Sequence, residues 1–105
     1  MNHEVIFMQT ALDDLEQIVI YISQDNLNAA LKLHDQIVDT ANKLSGFPMM
    51  GRTVPDEKIS KHGFRMISYG KYLLFYKVYE DTVVILRVLH GARDYSDLLI
   101  ADEDN

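Results

Sequence analysis

With 105 residues, 48% of them hydrophobic and 25% charged, the chain is long enough for one domain with its own core and too short for two. This balance excludes bulk disorder, no apolar run is long enough to span a bilayer, and the N-terminus MNHEVIFMQT lacks the basic-then-apolar pattern of a secretory leader. The net charge of −6 argues against nonspecific nucleic-acid binding, and the absence of cysteine removes disulfides, thiolate metal sites and cysteine nucleophiles, which fits a reducing cytoplasm.

Residues 4–8 (EVIFM) read as a short strand. Thr10 then stands as a helix N-cap, with Asp13 three residues on in a capping-box position. Leu12, Leu15, Ile18, Val19 and Ile22 recur at spacings of three and four, so an amphipathic helix is expected over about residues 11–24. Asp13, Asp14, Glu16 and Gln17 fall on its other face and read as solubilising charge. Asp25 or Asn26 is placed to cap a second helix. Its stripe is Ala30, Leu33, Ile37, Ala41 and Leu44, widened by Leu31 and Val38, and Ser45-Gly46 with Pro48 closes it. So short a link predicts an antiparallel helical hairpin.

Residues 46–62 hold both prolines and read as a surface loop. From Gly63 the period becomes two. Residues 64–68, 72–79 and 82–90 read as three strands joined by turns at Tyr69-Gly70-Lys71 and Glu80-Asp81. In the last strand Val84, Leu86 and Val88 should share one face, and Ile85, Arg87 and Leu89 the other. Both faces are apolar, which predicts a central strand. Residues 94–100 fit one helical turn, and 101–105 an acidic tail that frays. The expected fold is α+β: a two-layer β-α-α-β-β-β arrangement with a helical hairpin on a mainly antiparallel twisted sheet. One domain covers 1–100.

Charge is segregated along the chain. Residues 1–50 are net −5, 51–93 net +4 and 94–105 net −5, and all four arginines lie in the middle block. Either these cations decorate exposed strand faces, or they form one positive patch for an acidic partner. His3, His34, His62 and His90 show no ligand spacing, so no metal site or cofactor is expected. No serine lies in a nucleophile elbow and no glycine-rich phosphate loop is present. The suggestive cluster is His90-Gly-Ala-Arg93-Asp94-Tyr95, where a central strand leaves the sheet. His90, Arg93 and Tyr95 could serve as proton donor, phosphate clamp and stacking group in RNA cleavage. Equally, His90 could bond the loop backbone, Arg93 pair with an acid and Tyr95 cap the core edge.

Several stretches together resemble the RelE/ParE toxin superfamily, in its ParE branch. They are Ala11-Leu-Asp-Asp-Leu15 with Ile18, Tyr21 and Ile22; Leu44 with Pro48-Met-Met-Gly51-Arg52; Gly63-Phe-Arg65; Tyr72 with Phe75-Tyr76; and Ile85-Leu-Arg87-Val-Leu-His90-Gly-Ala-Arg93-Asp94. The resemblance spans about residues 3–98. It implies a growth-inhibiting toxin held inactive by a cognate antitoxin, in a heterodimer or heterotetramer that reaches DNA only through the antitoxin. RelE-like members cut mRNA in the ribosomal A site with basic residues on two strands, an Arg after the last strand and a Tyr near the C-terminus. ParE-like members lack that set and poison DNA gyrase. Here Arg65 and Arg93 match, whereas Ile67, Leu73 and Leu99 stand where two basic residues and the Tyr are expected. Leucine can neither stabilise a developing phosphorane nor move a proton.

The resemblance therefore implies a gyrase-binding surface rather than an acid–base pair, with Arg52, Arg65, His90 and Arg93 as the target-binding candidates. The alternative is a ribosome-dependent endoribonuclease using Arg65, His90, Arg93 and Tyr95. A third is an antitoxin-bound, autoregulatory partner without toxicity. Tyr21, Leu27 and Leu31, if not spent at the core margin, are the antitoxin-binding candidates.

Overall fold

The computed structural model describes the backbone of residues 2–104, and the side chains within it except those of Lys58 and 101–104. The elements are β1 (Glu4–Phe7), α1 (Gln9–Ser23), α2 (Leu27–Asn42) continued by a 3-10 turn (Lys43–Ser45), β2 (Arg52–Thr53), α3 (Glu57–Ser60), β3 (Arg65–Tyr69), β4 (Tyr72–Tyr79), β5 (Thr82–His90) and α4 (Ser96–Asp104). They form one five-stranded sheet in the order β1-β5-β4-β3-β2. β1 runs parallel to β5 and every other pairing is antiparallel. The hairpin α1/α2 covers one face. Ala11, Leu15, Ile37, Ala41 and Leu44 pack there on Leu74, Tyr76, Val83, Ile85 and Val88.

The helix starts follow local chemistry. Asn26 caps α2, its side chain accepting from the Ala29 N–H at 3.0 Å. Thr10 does not cap α1. The helix begins earlier, from an extended Met8, and the Thr10 hydroxyl donates to the Leu86 carbonyl at 2.9 Å. That carbonyl is available because β5 bulges. Phe75 opposes Arg87 and Tyr76 opposes Ile85, which leaves Leu86 without a register partner. The bulge also corrects the strict alternation expected for β5. Val88 joins Val83 and Ile85 under the hairpin, while Leu86 turns to the other face. Leu12, expected in the core stripe, is exposed.

The opposite face explains why residues 46–62 are not simply a surface loop. β2 pairs with β3, and Val54, Ile59, Phe64, Met66, Phe75, Leu89 and Leu99 form a second cluster beneath α3 and α4. Each fully buried aliphatic there contributes roughly 1.5–3 kcal/mol, which offsets the roughly 1–2 kcal/mol of backbone entropy per ordered residue. The sparse, aperiodic spacing of Val54 and Ile59 hid them from pattern reading. α4 extends through 104, beyond the single turn expected, and Asn105 lies outside the described residues.

The β4–β5 turn carries a strained residue. Glu80 sits at φ 49°, a left-handed conformation that favours glycine. Glu80→Gly should raise stability by about 0.5–1 kcal/mol, because relief of the left-handed penalty exceeds the added entropy of the unfolded chain. A lowered thermal midpoint would contradict this.

Candidate functional site

The residues singled out by sequence fall at two ends of the sheet. One end holds Arg52 and Arg65. Arg52 is exposed on the two-residue edge strand β2. Arg65 turns inward, donating from a terminal guanidinium nitrogen to the Gly51 carbonyl at 2.5 Å and the Met49 carbonyl at 3.3 Å. Its Nε is buried with no hydrogen-bond partner among the described residues. Tyr76, fully buried, adds two more ties. Its hydroxyl donates to the Pro48 carbonyl at 2.8 Å and accepts from the Gly51 N–H at 3.0 Å. Arg65 and Tyr76 thus pin the backbone of the segment from Pro48 to Gly51, while Phe47, Met49 and Met50 are exposed and, with Gly46 and Pro48, line an open apolar depression of about 590 Å³.

The other end holds His90 and Arg93. Both border a groove of about 450 Å³ between α1 and the ends of β4 and β5, together with Gln17, Tyr21 and Tyr72. His90 is exposed, lies edge-on to Tyr72 at 5.6 Å between ring centroids, and accepts the Ala92 N–H on Nδ1 at 3.1 Å. That bond leaves the proton of the neutral ring on Nε2. Arg93 is exposed, and its backbone N–H closes a turn onto the His90 carbonyl at 3.0 Å. The loop-bonding role weighed for His90 is therefore what the geometry shows.

The groove floor carries an ion pair that sequence reasoning missed. Asp14 meets Arg87 through two prongs, Nε to Oδ2 at 2.7 Å and a terminal nitrogen to Oδ1 at 2.8 Å. Its Oδ2 also accepts the Val88 N–H at 3.0 Å, just past the bulge. Both side chains are only 12–13% exposed. Asp14 is thus a clasp between α1 and β5 rather than solubilising charge. Its position beside Leu15 was the one available signal, since a residue flanking the buried stripe can reach the sheet.

The four candidate nuclease residues do not converge. Arg65 opposes Tyr76 and His90 opposes Tyr72, four residues apart on β4 and one strand to either side of it. Standard strand spacings put their Cα atoms roughly 16 Å apart. Tyr95 packs against Phe75, ring centroids 4.7 Å apart, on the face opposite the hairpin. Leu99 is fully buried in the same cluster and Leu73 is partly so. Where a nuclease of the resembled family would carry Arg and Tyr, this chain places core side chains.

Tyr21, Leu27 and Leu31 lie on the hairpin and are 74%, 58% and 50% exposed. Tyr21 joins the groove of His90 and Arg93, whereas Leu27 and Leu31 stand one turn apart on α2. A smaller apolar depression of about 350 Å³ between the helices is lined by Leu12, Leu15, Glu16, Val19, Ile20 and His34. Among the described residues no three His, Asp or Glu side chains come together as metal ligands, and no helix is long and apolar enough to cross a membrane.

Comparison with known proteins matches residues 5–95 to the family model of the ParE toxin of type II toxin–antitoxin systems, parDE. The fold is similar to a chain of the chromosomal ParDE system of P. aeruginosa, with TM-score 0.68 and 22% identity over 84% of this chain and 95% of that one. It is also similar to a chain of the RelBE2 toxin–antitoxin complex of Mycobacterium tuberculosis, with TM-score 0.65 and 28% identity over 86% of this chain and 99% of that one. No curated protein sequence matches.

Proposed function

Because the chain belongs to the ParE toxin family of type II toxin–antitoxin systems, we propose that it arrests growth by binding and poisoning DNA gyrase, and that a cognate antitoxin neutralises it. The observation that carries the choice of target is the scattering of the nuclease set. Arg65 is consumed in holding a loop, Tyr95 and Leu99 in the second core, and only His90 and Arg93 share a groove. Proton transfer and phosphorane stabilisation require those groups within hydrogen-bond reach of one phosphate. A poison instead needs a rigid contact surface. The net charge of −6 points the same way, since a ribosome-docked nuclease gains affinity from phosphate contacts made by cations.

The antitoxin partner accords with the two similar structures, both of them toxin–antitoxin systems. The exposed hairpin residues Tyr21, Leu27 and Leu31 suit an apolar helix face. The RelBE2 likeness favours a second reading, ribosome-dependent mRNA cleavage from the His90–Arg93 groove.

The test is purified gyrase with supercoiled plasmid and ATP. Added toxin should accumulate linear, gyrase-linked DNA, and the antitoxin encoded beside it should abolish this. His90→Ala should lower cleavage by no more than about threefold, because it removes at most one contact on the target and no proton-transfer group. Absence of cleavage, with mRNA cut on purified ribosomes in a His90-dependent manner, would transfer the function to the second reading.

A further inference from the structure

The feature that neither the core nor the groove accounts for is the segment from Phe47 to Met50. Phe47 is 68% exposed, Met49 61% and Met50 47%. Three large apolar side chains exposed within four residues are costly, and their loop would relax if nothing fixed it. Instead two side chains from the sheet are committed to it. Tyr76 bonds both Pro48 and Gly51, and Arg65 bonds both Met49 and Gly51. The loop also bonds itself, from the Met50 N–H to the Phe47 carbonyl at 2.9 Å. A rigid apolar knob of this kind loses little entropy on docking, as an interface hot spot requires.

We propose that this knob, with the open apolar depression its side chains line, is the contact by which the toxin engages its target, and that its occupant is an apolar surface with an acidic rim on the target enzyme. The rim follows from charge. Lys43 and Arg52, both exposed, flank the knob, and no acid occurs from residue 40 to 55 of a chain that is net −6 overall. The inference rests on the target-binding reading above and gives its arginines distinct roles. Arg52 touches the partner, and Arg65 is a positioning residue that acts through the loop.

The experiment compares wild type with Phe47→Asp, Met49→Ser and Arg52→Glu in the gyrase cleavage assay. Thermal midpoint and antitoxin affinity are measured on each variant. Phe47→Asp should raise the toxin concentration for half-maximal cleavage by at least about thirtyfold, the scale of losing one hot-spot residue. Met49→Ser should do so by about tenfold, and Arg52→Glu should slow association and flatten its salt dependence. Midpoint and antitoxin affinity should stay at the wild-type values. The knob proposal is overturned if Phe47→Asp and Met49→Ser cleave like wild type, or if antitoxin affinity falls by the same factor as cleavage. If wild type itself fails to poison gyrase, the gyrase reading falls alone. The same variants then decide the knob by growth arrest, which Phe47→Asp should relieve and which its persistence would refute.

Discussion

Replacing Asp14 with alanine is expected to destabilise the protein by about 3–5 kcal/mol, the cost of removing one partner from a largely buried ion pair. Arg87 loses a two-pronged carboxylate, and the Val88 N–H loses its acceptor just where the bulge has already interrupted the ladder. No water-filled side of the groove can replace all three bonds at once, because both side chains are nearly covered. For a domain of this size the thermal midpoint should fall by roughly 12–30 °C. The double variant Asp14→Ala with Arg87→Met should recover part of that loss, since an apolar side chain needs no partner. A fall of less than about 1 kcal/mol would mean that the clasp is as weak as a solvent-exposed pair.

Gly51→Ala should be nearly as damaging for a different reason. A Cβ at Gly51 would lie 2.5 Å from the Met66 carbonyl oxygen and 2.6 Å from the Tyr76 hydroxyl. The first belongs to the β2–β3 ladder and the second holds Pro48, so neither yields cheaply. About 3 kcal/mol is expected, the upper end of overpacking costs. Tyr76→Phe should cost about 1–3 kcal/mol, because it leaves the Gly51 N–H and the Pro48 carbonyl without their partner. The two variants share a functional consequence. Both should reduce toxicity at temperatures where circular dichroism still shows a folded chain, because the knob is displaced while the core persists. Equal toxicity per folded molecule would show that the loop's position is irrelevant to the target.

Periodicity carried most of the fold. The stripes of α1 and α2 and the alternating strands from Arg65 to His90 follow the two repeats that secondary structure imposes on burial. It failed where geometry is not periodic. The bulge at Leu86 moves Val88 and Leu89 to the faces opposite those that strict alternation gives them, and no residue in Val83–Val88 announces it. Val54 and Ile59 are single apolar residues in a proline-bearing stretch, yet both are fully buried because α3 folds them under the sheet. Thr10 has the chemistry of a cap, but its hydroxyl donates to the Leu86 carbonyl across the fold instead of accepting a backbone N–H of its own helix.

The candidate site was legible in part. His90 and Arg93 were placed together by their spacing, and the structure adds Tyr21 and Tyr72 to their groove. Arg65 could not be told apart from Arg52 by sequence, because whether an arginine reaches solvent or a loop carbonyl depends on a strand pairing with β2 that spans two residues. The apolar knob was hidden for a related reason. Residues 46–62 read as a surface loop, and nothing in the sequence shows that Arg65 and Tyr76 hold its backbone with Phe47, Met49 and Met50 exposed.

The most direct measurement is incorporation of labelled thymidine and labelled amino acids in the minutes after the chain is induced alone in bacteria. DNA synthesis should stop first while protein synthesis continues, and co-expression of the neighbouring antitoxin should restore growth. Protein synthesis stopping first, with DNA synthesis following only later, would contradict a gyrase poison and make the groove of His90 and Arg93 the centre of the activity.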